Sequence, residues 1–267
     1  MSHPLLVCRD VDICYGERCL VRGLSLDVNV GERWAVVGPN GAGKSSLLLV
    51  LAGARRPDHG RIELDGKLIS DWGVEQLAAL RAMVADRWID PFAMDVLETV
   101  KAARYRMQFR AGLDARAGRA DGSERAARVA QECLQAMDCA DLAMRDIRRL
   151  SRGERQRVAL AAALAQESAL VLLDEPISHQ DPKHQMLVLQ NLKERSHSTF
   201  IAALHDINAG ARFATHALLL AGDGNWQAGV AREVLTCVGL SALFDTEIVQ
   251  LELGMHRVFV AAGEAID

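Results

Sequence analysis

The chain has 267 residues, of which 50% are hydrophobic and 25% are charged, the balance of an ordinary globular protein. Its formal net charge of -4 and its aromatic content of 4% argue against nucleic-acid binding, because such surfaces are basic and stack bases on aromatic rings. Its apolar runs, such as residues 47–51 and 217–221, are far shorter than the roughly 18 residues that a membrane span needs.

Six cysteines are scattered along the chain without a CxxC pair. The first ten residues contain no basic region followed by an apolar stretch, so they do not resemble a signal peptide. Together these features predict a cytosolic protein whose thiols are reduced and serve mostly as packing residues. The cysteines are Cys8, Cys14, Cys19, Cys133, Cys139 and Cys237.

The N-terminal third predicts short strands separated by turns. Apolar and polar side chains alternate in the first segments, and the apolar run before a glycine-rich loop is typical of a buried strand. The predicted elements are strands at 5–15, 24–30 and 34–37, a helix at 44–52 and a hairpin at 61–69.

The middle of the chain, residues 87–150, predicts a mostly helical insertion with a loose stretch at 112–123 that is rich in Gly, Ala, Asp and Arg. After it, strand and helix patterns alternate, which favours a parallel α/β sheet. The predicted strands lie at 170–173, 199–204, 217–220 and 257–260, and the helical patterns at 153–166, 183–195, 207–213 and 231–244.

Residues 38–45, Gly-Pro-Asn-Gly-Ala-Gly-Lys-Ser, match the phosphate-loop pattern and lie between a predicted strand and a predicted helix. Glycines allow backbone N–H groups to curl around phosphate oxygens, and the helix N-terminus adds positive potential. In this pattern Lys44 reaches the β- and γ-phosphates and Ser45 holds Mg²⁺. The alternative is a glycine-rich turn that matches the pattern by chance. The flanking strand and helix argue against it.

Two carboxylates, Asp174 and Glu175, end the apolar run that begins at Ala169. Ligands sit at the ends of such strands, so Asp174 is a candidate for Mg²⁺ binding and Glu175 for the general base that polarises the attacking water. The alternative is a solvated strand end followed by a turn at Pro176, and the upstream phosphate loop argues against it.

These motifs resemble the ATP-binding subunits of ABC transporters, in the family's order and over nearly the whole chain. Residues 38–45 correspond to the Walker A loop, 150–154 to the family signature, 170–175 to Walker B and 178–181 to the D-loop. The resemblance implies an α/β P-loop NTPase (RecA-like) core with an N-terminal antiparallel β subdomain and a helical insertion that carries the signature.

The resemblance also assigns residues outside these motifs. Tyr15 corresponds to the aromatic residue that stacks on adenine, and His205 to the switch histidine that contacts the γ-phosphate. Without the other motifs, Tyr15 could equally be a tyrosine at a strand edge. An isolated His205 would more often be a structural histidine. The residues assigned to ATP binding are Tyr15, Gly38, Pro39, Asn40, Gly41, Ala42, Gly43, Lys44, Ser45 and Ser46.

In this family two subunits pair head to tail, and the signature of one closes on the ATP held by the other. The residues expected to contact the partner's ATP are Ser151, Arg152, Gly153 and Glu154, with Asp181 as the D-loop acid. Ser151 and Glu154 also form the S-x-x-E pattern of a capping box, which needs no ligand. The nearby arginines are interpreted mostly as a solvated face or as internal pairs, namely Arg145, Arg148, Arg149, Arg155 and Arg157.

Three positions depart from the family pattern. Asp86 lies where a glutamine that faces Mg²⁺ is usual, and it is a candidate Mg²⁺ ligand that adds a charge and loses the amide donor. His179 and Gln180 replace small and apolar D-loop residues, which predicts a more polar and pH-sensitive dimer seam. Arg152 replaces a signature glycine. A cation in a first helical turn opposes the helix dipole, but it would attract the γ-phosphate of a partner's nucleotide. The hypothesis is that Arg152 strengthens ATP-driven closure of the dimer.

The resemblance predicts one ABC ATPase domain over 1–267. Its core with the antiparallel β subdomain covers 1–86 and 156–221, its helical subdomain 87–155 and its C-terminal extension 222–267. The protein is expected to bind ATP and Mg²⁺ and to act as a homodimer, cytoplasmic and peripheral on the inner face of the cell membrane.

Within the family, the chain resembles importers of iron-siderophore complexes, heme or vitamin B12. The resemblance lies in its length, in the Gly-Glu pair of the signature and in the ending at residues 233–236 followed by 240–244. Such a subunit would power integral-membrane permease subunits and, indirectly, serve a substrate-binding protein. The alternatives are a soluble ABC-type ATPase in assembly work, such as iron–sulfur cluster building, and the ATPase of an exporter.

Overall fold

The computed structural model describes residues 3–86, 93–104, 119–254 and 256–262. Two compact units divide the chain: one joins Met1–Ser70 to Thr199–Asp267, and the other is Asp71–Ser198. The strands are β1 (Leu6–Tyr15), β2 (Arg18–Val28), β3 (Arg33–Val37), β4 (His59–Leu64), β5 (Lys67–Leu68), β6 (Arg81–Val84), β7 (Leu170–Asp174), β8 (Thr199–Ala203), β9 (His216–Leu220), β10 (Trp226–Val230), β11 (Ile248–Leu253) and β12 (His256–Ala261). The helices are α1 (Lys44–Leu51), α2 (Val74–Leu80), α3 (Val96–Arg104), α4 (Arg119–Ala136), α5 (Arg152–Ala165), α6 (Pro182–Glu194), α7 (Ile207–Phe213), α8 (Ala231–Val234) and α9 (Cys237–Phe244).

The first unit begins with an antiparallel sheet in the order β2-β1-β4-β5. One face of β1 is buried because its apolar side chains alternate, and Leu6, Cys8, Val11 and Ile13 are fully covered. A β-bulge interrupts β1 near Asp10, whose φ is 55°. This sheet is the predicted antiparallel β subdomain.

Parallel strands form the centre of the first unit. β3 lies between β8 and β9 and runs parallel to both, and β10 pairs antiparallel with β9. β3, β8 and β9 are almost entirely apolar because both faces of a parallel sheet are covered. Their carboxyl ends therefore share one edge, and each strand continues into a loop at that edge. The α/β class predicted from the alternating patterns is confirmed.

A C-terminal hairpin of β11 and β12 belongs to the same unit. It is attached to α7 through Asn208, whose side chain donates to the carbonyl of Phe259 and accepts from its N–H at 3.0 and 2.7 Å. Sequence patterns predicted β12 but not β11, whose outward residues Leu251 and Leu253 are exposed and obscure the alternation.

The second unit combines the parallel pair β6 and β7 with the helices α3, α4 and α5, which pack on one another. α5 is buried from Gln156 to Ala165. Arg104 at the end of α3 is 8% exposed, donates to the carbonyl of Ala165 and pairs with Glu167 at 3.0 Å. The buried arginine thus provides a donor for the last carbonyl group of α5, one of those that have no partner within the helix.

Several sequence predictions need correction here. α2 and β6 were not predicted, because each is short and their junction carries no Gly or Pro signal. Within the predicted loose stretch, residues 119–123 are instead the first residues of α4, while residues 112–118 lie outside the described residues. The division into core, helical subdomain and extension stays a prediction.

The prediction of reduced packing thiols is wrong for one pair. Cys14 and Cys19 face each other across β1 and β2 and are joined by a disulfide. Spacing alone could not reveal the pair, because only the hairpin register places the two residues opposite each other. Cys8, Cys133 and Cys139 are buried free thiols, as the packing interpretation expected.

Carboxylates stabilise the starts of three helical segments in the second unit. Asp181 caps α6, and the backbone N–H of His184 lowers the pKa of this carboxyl. Bonding to Ser151 likewise lowers the pKa of Glu154 at the start of α5, and the Arg148 side chain lowers the pKa of Asp146 to about 2. Groups with a depressed folded pKa stabilise the fold while they are ionised and stop doing so as they are protonated.

We predict that Asp181→Asn weakens the pH dependence of folding stability at acidic pH. Wild-type stability should fall as the pH drops below 3.8, the ordinary value for Asp181, and through its lowered pKa, whereas asparagine caps the helix without titrating. Urea midpoints measured from about pH 6 to pH 2 should therefore decline less steeply in the variant. Glu132→Gln, at an exposed position of α4, controls for loss of one charge. Equal slopes for Asp181→Asn and wild type would contradict the prediction.

Candidate functional site

The phosphate loop joins the end of β3 to the start of α1. A Cβ atom at Gly38 would lie 2.3 Å from the carbonyl oxygen of Leu220 at the end of β9, so only glycine fits. Gly41 and Gly43 have φ values of 77° and 99°, which other residues rarely adopt. The sequence pattern thus corresponds to a loop whose shape depends on three glycines for two different reasons.

Lys44 is folded back into this loop. Its side chain is buried, with the residue 5% exposed, and Nζ donates to the carbonyls of Gly38 and Pro39 at 2.7 and 3.0 Å. A buried ammonium group and the N-terminus of α1 therefore converge on the same loop. Both favour an anion, because an amine and free helical N–H groups each supply hydrogen-bond donors and positive potential.

Tyr15 lies next to the start of α1. Its hydroxyl is 2.9 Å from Ser46 Oγ, and the guanidinium of Arg55 lies 4.2 Å from the centre of its ring. The residue remains 54% exposed. Arg55 occupies one face of the ring by a cation–π contact, which leaves the rest of the ring accessible for stacking. Sequence reasoning identified Tyr15 but missed Arg55, because only the fold brings them together.

The turn that follows β9 packs against the phosphate loop. A Cβ at Gly222 would lie 2.9 Å from the Cα of Ala42, and the φ of Gly222 is 83°. Arg18, at the start of β2, donates to the carbonyl of Gly222 at 3.2 Å. The turn after β9 and the β1–β2 hairpin are thereby connected to the loop.

His205 follows β8 at the same edge as the phosphate loop. β8 pairs parallel with β3, and the N–H of Leu204 donates to the carbonyl of Val36 at 3.0 Å. His205 and Gly38 therefore follow neighbouring strands, and the His205 side chain is exposed at that edge. Asp206, the next residue, caps α7.

In the second unit, Asp174 is the last residue of β7 and Glu175 follows it, as the apolar run predicted. Asp174 is buried, and Glu175 has a φ of 52°. The Ser178 N–H and hydroxyl both donate to the Glu175 carbonyl, at 3.2 and 2.7 Å. A non-glycine residue in the left-handed region is held there by its surroundings, so the fold fixes the backbone that carries this carboxylate.

Asp86 lies at the same strand edge as Asp174. β6 pairs parallel with β7, with Val84 opposite Leu173, so the residues after the two strands are neighbours. The Asp86 carboxylate accepts from the Arg152 guanidinium at 3.3 Å. Two of the three departures from the family pattern are therefore in contact with each other.

The signature begins α5 with a complete capping box. The Glu154 N–H donates to Ser151 Oγ at 3.3 Å, and the Ser151 N–H donates to Glu154 Oε2 at 2.8 Å. A Cβ at Gly153 would lie 2.9 Å from the carbonyl oxygen of His179. The signature glycine is thus needed where the helix packs on the D-loop of the same unit.

The D-loop side chains have partners of their own. Asp181 accepts from the N–H of His184 at 2.9 Å and contacts its ring at 2.8 Å. Gln180 donates to the carbonyl of Pro176 at 3.1 Å, and His179 has a φ of 60°. Asp181 therefore has a structural role as a helix cap. The predicted polar, pH-sensitive dimer seam stays a prediction.

Four of the five arginines that flank the signature are engaged within the unit, which agrees with the interpretation of internal pairs. Arg145 pairs with Glu154 and Arg148 with Asp146, at 3.9 and 2.7 Å. Arg155 and Arg157 donate to backbone carbonyls.

The donor set is compatible with a metal held jointly with phosphates. No group of three or more His, Cys, Asp or Glu side chains within the described ranges could hold a metal ion alone. Mg²⁺ typically keeps one or two protein oxygen ligands and completes its shell with water and nucleotide phosphates. Ser45, exposed beside the phosphate loop in the first unit, and Asp174, buried in the second, each offer an oxygen of the kind that such an ion takes. Their joint role as Mg²⁺ ligands stays a prediction.

Comparison with known proteins gives consistent matches. The family model described as ABC transporter matches residues 21–178. The hemin import ATP-binding protein HmuV of Pseudomonas aeruginosa is 35% identical over 253 residues, which cover 92% of this chain and 94% of that protein. The iron(3+)-hydroxamate import ATP-binding protein FhuC of Bacillus subtilis is 34% identical, over 89% of this chain and 87% of that protein.

One further relative is longer. The ABC transporter ATP-binding protein YvrA of Bacillus subtilis is 33% identical over 89% of this chain, but the chain spans only 53% of its length. Among solved structures, a chain of a metal-chelate type ABC transporter in an inward-facing conformation superposes with a TM-score of 0.79 at 29% identity. The match covers 98% of this chain and 99% of that chain. The fold class predicted from the motifs is therefore confirmed.

We predict that Gly153→Ala destabilises the protein. The added methyl group would approach the His179 carbonyl to 2.9 Å, and overpacking of this kind costs about 1–3 kcal/mol. The free energy of unfolding, measured in urea, should fall by that amount. Gly73→Ala, at the start of α2 in the same unit, is the matched control, because its Cβ would make only an ordinary contact at 3.5 Å. A loss no larger than that of Gly73→Ala would contradict the assigned close packing.

Proposed function

This chain belongs to the ABC transporter family of ATP-binding proteins, and on that premise we propose that it powers import of a metal chelate or related cofactor through a separate membrane permease. Proteins of this family are ATPases. The names of the relatives, which concern hemin and iron-hydroxamate import, and the likeness to a metal-chelate transporter support import over export or assembly work.

One observation carries the nucleotide-binding part of this proposal. The buried Lys44 amine lies inside a loop that three glycines shape, at the N-terminus of α1, and His205 follows the adjacent strand. A lysine with only a structural role would not require the Gly38 backbone to lie so close to the Leu220 carbonyl. This arrangement is suited to the β- and γ-phosphates of a nucleotide, with His205 directed to the terminal phosphate.

Hydrolysis needs a base and a metal in addition to the phosphate loop. We assign the base to Glu175, which accepts a proton from the attacking water, and metal binding to Ser45 and Asp174. When bound, Mg²⁺ would neutralise charge on the β- and γ-phosphate oxygens. The fixed backbone at Glu175 supports its assignment, because a general base must be held in place to act.

We further propose that two copies act together. The N-terminus of α5 offers N–H groups and the Ser151 hydroxyl, and a second copy would present its nucleotide there. Solved cassettes of the same fold include dimers, which supports pairing. The membrane location follows from the permease partner in this proposal: the protein would be cytoplasmic and peripheral. None of the helices in the described ranges is long and apolar enough to cross a membrane.

Arg152 has two possible anionic partners in this scheme. Within the chain it pairs with Asp86, and in the closed dimer it would face the γ-phosphate of the second copy's nucleotide. Both side chains of the Asp86 pair are partly exposed, so the pair is weak enough to exchange. Closure would then require Arg152 to leave Asp86, and Asp86 would oppose closure rather than ligate the metal.

The direct test of hydrolysis is Glu175→Gln. The variant should bind ATP and accumulate as a dimer, while turnover falls about 100-fold or more, because a general base typically contributes at least that factor. ATPase rates and size-exclusion profiles with ATP measure both effects. Glu132→Gln should behave as wild type. Near-normal turnover would remove Glu175 from its role, and failure of the wild-type protein to bind ATP would contradict the proposed function itself.

The exchange of partners at Arg152 predicts opposite effects from two substitutions in the Glu175→Gln background. Arg152→Gly should weaken ATP-dependent dimerisation and reduce its salt sensitivity, whereas Asp86→Asn should strengthen dimerisation by about 2- to 5-fold, the range of an exposed ion pair. Dimer dissociation constants at two salt concentrations measure both.

Arg148→Gln controls for loss of a similarly exposed arginine. If Arg152→Gly leaves dimerisation and its salt dependence unchanged, the role of Arg152 is wrong. If Asp86→Asn weakens dimerisation, a metal-binding role for Asp86 is favoured instead.

A further inference from the structure

The β1–β2 hairpin carries two cysteines next to the turn that joins its strands. Cys14 and Cys19 are register partners on the two strands and are joined by a disulfide. Both residues are only half-buried, and the four residues between them are exposed. The hairpin turn beside this sulfur pair is therefore open to solvent. Neither the fold nor the proposed ATPase activity requires a disulfide at this place.

The disulfide directly adjoins Tyr15. Arg55 donates to the Cys14 carbonyl at 2.7 Å with the same guanidinium that lies over the Tyr15 ring. The Tyr15 hydroxyl in turn contacts Ser46 on α1. The ring that the disulfide closes, residues 14–19, thus contains the aromatic side chain assigned to the adenine base.

We propose that Cys14 and Cys19 form a reversible thiol–disulfide site, which reacts with small disulfides and dithiols and sets the affinity for adenine nucleotides through Tyr15. This inference rests on the proposed function. The closed disulfide restricts the backbone on both sides of Tyr15 and so holds the ring ready for stacking. Opening it frees the hairpin tip, and binding must then order Tyr15 at an entropic cost.

The reaction is an ordinary exchange. A thiolate of an external dithiol attacks one of the two sulfurs, the Cys14–Cys19 bond breaks, and the released cysteine sulfur takes up a proton. The second thiolate of the reagent then attacks the mixed disulfide and releases the other cysteine, which is also protonated. Two electrons pass from the dithiol, which becomes a cyclic disulfide, and exchange with an excess of a small disulfide reverses the process.

The three buried cysteines are poorly suited to this chemistry. Burial raises the pKa of the Cys8 thiol to about 12, and burial also raises the pKa of Cys133 and of Cys139. Thiolate is the reactive form, so these three thiols should stay inert in the folded protein. Cys237, at the start of α9, is partly exposed and serves as the matched control.

The test compares nucleotide affinity of the full chain in its two redox states. After treatment with a small disulfide or with dithiothreitol, dissociation constants are measured for ATP and for inorganic tripolyphosphate. We expect ATP to bind about 2- to 10-fold more weakly to the reduced protein, the range for ordering one side chain, while tripolyphosphate binding is unchanged because it has no base. Equal ATP affinities would overturn the inference, as would a disulfide that dithiothreitol cannot open under native conditions.

Substitutions show which residues produce the redox effect on ATP affinity. The double variant Cys14→Ser with Cys19→Ser should match the reduced protein under both treatments, and Cys237→Ser should retain the wild-type response. Tyr15→Ala should bind ATP with one affinity in both states, and a persisting response in that variant would overturn the role of Tyr15. If neither redox state binds ATP or tripolyphosphate, the proposed function fails, which is distinguishable from equal binding in both states.

Discussion

The close approach of the Gly38 backbone to the carbonyl of Leu220 governs the arrangement around the phosphate loop. The gap leaves no space for a Cβ atom, so the chain leaving β3 is held against the end of β9. From there the loop must turn back into α1, which requires the positive φ values of Gly41 and Gly43. Lys44 then lies buried among the loop carbonyls rather than extended into solvent. Anion binding thus depends on backbone contacts, and the lysine is one part of a larger arrangement.

A comparable constraint organises the second unit. Gly153 lets the first turn of α5 approach the His179 carbonyl, while the capping box satisfies the N–H groups that begin this helix. The signature begins a helix within the chain. We propose that other donors at the same helix N-terminus engage the nucleotide of a second copy. Capping chemistry and anion binding coincide because both use the donors at a helix N-terminus.

The positions that depart from the family pattern gain meaning only from their contacts. Asp86 and Arg152 are two separate departures from the family pattern in the sequence, but in the structure they form one ion pair. Cys14 and Cys19 likewise become a pair through the register of a hairpin, next to the exposed Tyr15 ring. Both pairs lie beside residues assigned to the nucleotide, so they are suited to adjust ATP use without altering the chemistry at Glu175.

The sequence by itself determined the α/β class, the family, the phosphate loop, the acidic end of β7 and the position of His205 after β8. Those features depend on local rules, since glycine spacing, apolar runs and strand ends are read along the chain. It also predicted the helix at the signature, because S-x-x-E is a local capping pattern. Only the tertiary structure decided that Arg55 covers Tyr15, that Asp86 meets Arg152 and that Cys14 bonds to Cys19. These contacts depend on strand register and on the packing of loops against other parts of the fold. No local sequence pattern specifies such contacts.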